Sequence, residues 1–256
     1  MTPTLPAEFL SVPIAHRALH DVTRNRPENS RAAINAAIAA GYGIEIDLQL
    51  SSDGQALVFH DYDLSRLTGQ SGPIRLCSAA KAAEIALTSG DGETIPTLPE
   101  VLELVAGRVP LLIEIKDQDG GLGPNIGPLE TATAAALTGY SGPVAVMSFN
   151  PFCVTRMAKI APNVPCGLVT EGFRDTQWPL PAATCDRLRE IPDFESSGAS
   201  FISHGADDLA RPRVAELRKD GIPVLCWTIR SHEQEAKARR YADNVTFEGY
   251  LAAIPD

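Results

Sequence analysis

In the segment GIEIDLQL, residues 43–50, Glu45 and Asp47 stand two positions apart among Ile44, Ile46, Leu48 and Leu50. Side chains of an extended strand alternate faces, so the two carboxylates point together and the aliphatics point the other way. PLLIEIK, residues 110–116, repeats the pattern, with Leu111, Ile113 and Ile115 on one face and Leu112, Glu114 and Lys116 on the other. Three carboxylates within about 4 Å of one another repel by roughly 4 kcal/mol per pair at an effective dielectric near 20. Something must neutralise them, and an all-oxygen set favours a hard cation, Mg²⁺, Ca²⁺ or Mn²⁺, over zinc. The competing explanation is that each acid pairs with a basic side chain, for which Lys116 and Arg17 are at hand.

Two histidines stand at equivalent places. His16 closes PIAH and His60 closes ALVFH, each where an apolar run ends. Two imidazoles beside a cation site can take a proton from a nucleophile and give one to a leaving oxygen near neutral pH. Arg17 follows His16 directly, and a planar guanidinium suits phosphate oxygens, with Lys116 as a second positive charge. Glu28 is either a substrate-binding group or an acid favoured by a helix start. Trp227, in VLCWTIR, is either an apolar wall for substrate or a core aromatic. His20 reads as loop surface, His204 as a minor candidate after a strand, and His232 lacks acids at strand-end spacing. Asn150 before Pro151 reads as a turn opening.

Short apolar runs, each followed by an Ala- and Leu-rich stretch at helical period, supply the elements that must position these groups. Strands are predicted at 12–16, 43–49, 56–60, 110–116, 144–147, 166–169, 201–204 and 224–228, with a short closing piece at 244–247. Helices are predicted near 30–40, 98–105, 129–137, 152–160, 182–190, 208–219 and 232–241. Asn29 or Ser30 can cap the first of these, and Gly41 can stop it. Residues 62–96 form a looser excursion after the third strand. The alternation predicts an α/β fold, a (β/α)8 barrel formed as a single domain over residues 1–256, with the site at the carboxyl ends of the strands. GGLG at 120–123 lacks the strand-to-helix spacing of a nucleotide fingerprint and reads as a loop.

The formal net charge of -10 argues against nucleic acid or an anionic membrane as partner. Lys237, Arg239 and Arg240 form the densest basic group, and their spacing suits a solvated helix face. The five cysteines are widely spaced without a CxxC pair, which suits reduced thiols in a cytoplasmic protein. No run reaches the length of a membrane span, and the first residues lack a secretory pattern, so neither secretion nor stable membrane insertion is expected. The oligomeric state is open.

The motifs IAHR, PENS, GIEIDLQLSSDG, VFHD, IPTLPEVL, LLIEIK, MSFNP and CWTIR, in this order over nearly the whole chain, resemble the glycerophosphodiester phosphodiesterase family. The resemblance implies hydrolysis of a small-molecule glycerophosphodiester to glycerol 3-phosphate and an alcohol, as part of glycerol and lipid metabolism. It implies a divalent cation on Glu45, Asp47 and Glu114, His16 and His60 as general acid and base, and Arg17 and Lys116 on the phosphate. Two departures bear on substrate choice. Ala18 stands where the family usually has Gly, and Thr246, Phe247, Glu248 and Gly249 replace a closing Thr-Asp-x-Pro, with Glu248 at the place of the Asp. Two other functions fit the same residues. One is a related barrel lipase that cleaves lysophospholipid headgroups, with Phe152, Phe173 and Trp178 as an apolar entrance; the other is a barrel that binds a phosphorylated metabolite without turning it over.

Overall fold

The computed structural model describes residues 2–174 and 178–255. Among the described residues nine strands occur in chain order: β1 (Ile14–Ala15), β2 (Gly43–Leu50), β3 (Ala56–Val58), β4 (Leu111–Ile115), β5 (Val144–Ser148), β6 (Cys166–Thr170), β7 (Phe201–Gly205), β8 (Val224–Ile229) and β9 (Asn244–Phe247). Eight of them pair in parallel in the order β1-β9-β8-β7-β6-β5-β4-β2, and β2 returns to β1, which closes the barrel. Helices after most strands form the outer layer, so the expected (β/α)8 architecture is present.

The identity of the eight barrel strands differs from the sequence expectation at two places. The run at 56–60, counted as a barrel strand, is β3, which lies antiparallel to β2 with Leu48 opposite Val58. The run at 244–247, taken as a closing piece, is the eighth barrel strand, hydrogen-bonded to both β8 and β1. The physical reason is connection length. Only residues 51–55 separate β2 from β3, enough for a hairpin but not for a parallel crossover, which needs a dozen or more. β1 is shorter than expected, although the amide of His16 still donates to the carbonyl of Phe247 at 2.9 Å.

The strand faces divide as alternation requires. Ile44, Ile46, Leu48, Ile113 and Ile115 join the large core between barrel and helices. Ile14, Leu112, Ala145, Val169, Phe201 and Leu225 fill the barrel interior, with Phe9 packed against them. Fully burying such a side chain stabilises by about 1.5–3 kcal/mol relative to exposure. At Gly167 an added Cβ would meet the ring of Phe201 at 2.3 Å, so the glycine makes room for this aromatic filler.

Two local details set the site's frame. Ser30, not Asn29, caps the helix Arg31–Ala40 by accepting from the Ala33 amide at 3.1 Å, and Gly41 ends it at φ 76°. The excursion between β3 and the helix Leu98–Val105 has its own core of Leu57, Phe59, Leu64, Leu67, Ile74 and Ile85. It is therefore a packed outgrowth beside the barrel mouth. The helix expected at 208–219 begins later, as Pro212–Lys219, with Pro in its first turn where the missing amide costs nothing.

Candidate active site

Parallel register sets Asp47 beside Glu114 across β2 and β4, and Glu45 lies one inward position lower, beside Leu112. The three carboxylates are buried, and each offers an oxygen within 4.8 Å of the others. Their surroundings differ. Lys116 Nζ lies 2.8 Å from Asp47 Oδ1 and 2.6 Å from Glu114 Oε1. Asn29 Nδ2 donates to Asp47 Oδ2 at 2.9 Å, while the Asp47 amide donates back to Asn29 Oδ1 at 3.2 Å. Glu45 accepts from the backbone amide of Arg17 at 2.8 Å through Oε2, but its buried Oε1 has no hydrogen-bond partner.

These differences appear in the ionisation of the cluster. Burial pushes the Glu45 carboxyl well above its ordinary value, and the charges of Asp47 and Glu114 push the same way. Burial also acts upward on Asp47, but Lys116, His60 and Arg17 outweigh it and hold that carboxyl below the usual range. Lys116 is held above its ordinary value because Asp47 and Glu114 overcome its burial. Pairing with Arg17 and Lys116, the alternative to a cation, thus accounts for Asp47 and Glu114 and leaves Glu45 one positive partner short. A buried orphan oxygen in an all-oxygen cluster fits a hard divalent cation.

The histidines flank this cluster, each backed by a carboxylate. His16 Nδ1 lies 2.6 Å from Glu248 Oε2, and His60 Nδ1 lies 2.6 Å from Asp61 Oδ1. With Nδ1 donating to a carboxylate, Nε2 carries the lone pair that can accept a proton. Burial holds the His16 imidazole below its ordinary value, against the opposing hydrogen bond that it makes to Glu248. Glu248 is held below the usual carboxylate range, first by its hydrogen bond with His16, with His20 close by and the charge of Arg230 acting the same way. It also pairs with Arg230 at 2.7 Å.

Arg17 reaches two acids: NH1 donates to Glu28 Oε1 at 2.8 Å, and Nε lies 3.6 Å from Asp47 Oδ2. Glu28 bridges Arg17 and Arg66, so a helix-start role does not describe it. Arg17 and Ala18 both adopt left-handed backbone, at φ 51° and 64°, and the turn brings the Ala18 amide to the Glu45 carbonyl at 2.9 Å. Trp227 is half-buried above Leu225 on the inner face of β8, donates from Nε1 to the Ser203 carbonyl at 3.1 Å and packs 5.5 Å from the Phe149 ring. It lines a cavity together with Thr228 and Arg230.

Other candidates lie elsewhere. His204 is fully buried on the helix-facing side of β7, alongside Ile202, with Nδ1 2.8 Å from Thr170 Oγ1. His20, expected as loop surface, instead approaches Glu248 at 3.5 Å. Phe173 is buried against Phe149 and Trp178, and Phe152 is 49% exposed on the outer helix Pro151–Ile160, so these two do not form an apolar entrance. Asn150 does open that helix, accepting from the Phe152 amide at 2.9 Å, and also donates to Asp117 at 2.7 Å. Sequence reasoning missed Asn29, Asp61 and Arg66 as parts of the site. Asn29 could have been found by its neighbour, because Ser30 alone suffices as cap. Asp61 could have been found as the acid adjoining His60. A cleft of about 700 Å³ lies on the side of Arg66 and of Glu248 and Glu28, the partners of His16 and Arg17, and is lined by Ala18, His20 and Tyr250 among others.

Known proteins share this sequence pattern and fold. The sequence model of the Glycerophosphoryl diester phosphodiesterase family matches residues 16–244. A glycerophosphodiester phosphodiesterase from Caldanaerobacter subterraneus is 34% identical over 243 residues, covering 91% of each chain. Among solved structures, a phosphodiesterase from Oleispira antarctica, in complex with the product sn-glycerol-3-phosphate, aligns over 94% of each chain at 25% identity and a TM-score of 0.74. A glycerophosphodiester phosphodiesterase from Parabacteroides distasonis shares the fold, with a TM-score of 0.74 at 20% identity over 92% of each chain.

Proposed function

The chain belongs to the glycerophosphoryl diester phosphodiesterase family and is a phosphoric diester hydrolase, and from that premise we propose that it is a metal-dependent enzyme cleaving glycerophosphodiesters to glycerol 3-phosphate and an alcohol. The observation that carries the metal dependence is the convergence of Glu45, Asp47 and Glu114 with an unpartnered buried oxygen on Glu45. These three residues would hold Mg²⁺, Ca²⁺ or Mn²⁺, which supplies charge stabilisation to the phosphoryl oxygens. Arg17 and Lys116 bind the phosphate and orient it. Asn29 holds the Asp47 carboxylate in place.

His16 and His60 form the acid–base pair. One Nε2 takes the proton from the attacking hydroxyl as its oxygen bonds to phosphorus, and the other protonates the departing alkoxide as the P–O bond breaks. Glu248 and Asp61 fix the rings and stabilise the imidazolium that forms. The attacking group is water or the glycerol 2-hydroxyl. In the second case proximity assists the attack, a cyclic phosphate forms, and the histidines exchange roles when water opens it. The adjoining cleft offers room for the alcohol, and Trp227, which lines a second cavity with Thr228 and Arg230, offers an apolar wall on that side. The free state of all five cysteines supports a reducing, cytoplasmic setting, and the family's substrate class supports a place in glycerol and lipid metabolism. No helix among the described residues is long and apolar enough to cross a membrane.

Chelator-stripped protein assayed with each cation on glycerophosphocholine, lysophosphatidylcholine and bis(p-nitrophenyl) phosphate tests this function. Cation-restored release of glycerol 3-phosphate from glycerophosphocholine is expected. A preference for the lipid moves the substrate to lysophospholipids, full activity without cation removes the metal, and no hydrolysis of any diester leaves a binding protein.

A further inference from the structure

Arg66 lies outside the barrel, on the helical turn Ser65–Thr68 of the excursion. Its guanidinium grips two carboxylates at once. Nε and NH2 donate to Asp61 at 2.6 and 2.8 Å, while NH1 and NH2 donate to Glu28 at 2.8 Å each. Asp61 is the acid that holds His60 Nδ1, and Glu28 is the acid that holds Arg17 NH1. A continuous chain of charge-assisted bonds therefore runs from His60 through Asp61, Arg66 and Glu28 to Arg17. The Arg66 side chain is 47% exposed, against 12% for Glu28 and 22% for Asp61, so the arginine closes the network from its solvent side. A planar fork can bind two carboxylates two-pronged, whereas a single ammonium cannot. The turn that carries Arg66 is itself anchored, with Leu64 and Leu67 in the excursion's core and the Ser65 amide donating to Asp63 at 2.9 Å.

We infer that Arg66 is a positioning residue that ties the acid–base histidine His60 to the phosphate-binding Arg17, so that the excursion sets the distance between proton transfer and phosphate capture. The inference rests on the proposed roles of those two residues. Arg66 acts through Asp61 and Glu28, and its loss loosens both arms together.

The test compares Arg66→Ala with the two single-arm variants Asp61→Asn and Glu28→Gln, in steady-state assays on glycerophosphocholine with saturating cation. Asp61→Asn is expected to lower kcat with little change in KM, and Glu28→Gln to raise KM with a smaller change in kcat. Arg66→Ala is expected to move both constants, since misplacement by about 1 Å can cost around a hundredfold. Arg66→Lys keeps the charge and most of the stem, guards against a folding defect, and is expected to restore at most one constant. Wild-type kinetics in Arg66→Ala, or full recovery of both constants in Arg66→Lys, overturns the inference while the proposed function stands. An unchanged kcat in Asp61→Asn, or an unchanged KM in Glu28→Gln, overturns the role assigned to His60 or Arg17 and removes that end of the tie.

Discussion

His16 and Glu248 are 232 positions apart in the chain and meet at 2.6 Å, because β1 and β9 are neighbours in the closed barrel. The pair gives His16 the same backing that Asp61 gives His60. Glu248 also holds His20 and Arg230, so the end of the last barrel strand organises this side of the mouth.

Glu248→Gln is expected to lower kcat by about 10- to 100-fold, the usual effect of losing a partner that orients a functional imidazole. Burial already holds the His16 ionisation below its ordinary value, and the Glu248 carboxylate works to raise it. Removing that charge moves the ionisation further toward acid. The pH dependence of kcat/KM measures this, and a shift toward alkaline pH would contradict the assignment.

Glu45→Gln is expected to weaken cation binding by about 10- to 100-fold in calorimetric titration, because the orphan oxygen is lost as a ligand. His16→Ala leaves that affinity nearly intact and abolishes turnover. In the wild type, a cation at a hundred times its Kd stabilises the fold by about 2.7 kcal/mol, readable as a higher Tm than in chelator.

Asn29→Ala removes two buried hydrogen bonds to Asp47, one of them to its carboxylate. A destabilisation of about 1–3 kcal/mol follows from the unpaired acceptor, together with weaker cation binding. Urea unfolding and metal titration of the same variant check the two effects separately. If only a helix cap were lost, metal affinity would not change.

Gly167→Ala places a methyl 2.3 Å from the Phe201 ring inside the barrel. Overpacking of this kind typically costs about 1–3 kcal/mol. The expected signature is a lower urea midpoint, and Gly167→Ala combined with Phe201→Leu is expected to recover part of it.

Ala18→Gly is expected to stabilise the protein. Ala18 holds φ 64°, where a Cβ costs about 1–2 kcal/mol, while glycine adds back about 0.4–1 kcal/mol of unfolded-state entropy. A gain of up to about 1 kcal/mol corresponds to a Tm higher by about 2–4 °C.

The sequence by itself determined the barrel and the content of its buried acidic cluster. Period-two alternation in GIEIDLQL and PLLIEIK fixes which side chains share a face, and strand pairing then had little freedom in how Glu45, Asp47 and Glu114 could meet. The acids are strand features and the histidines stand one and two residues past β1 and β3, and such local features are legible. The tertiary structure decided which runs close the barrel: β3 folds back as a hairpin and β9 takes the eighth place. It also decided who stands behind the chemistry. Glu248 on His16, Arg66 between Asp61 and Glu28, and Asn29 on Asp47 arise from long-range packing of separate loops at one mouth. No periodicity encodes such partners, because a loop side chain finds its contact only after the strands beneath it have set the register.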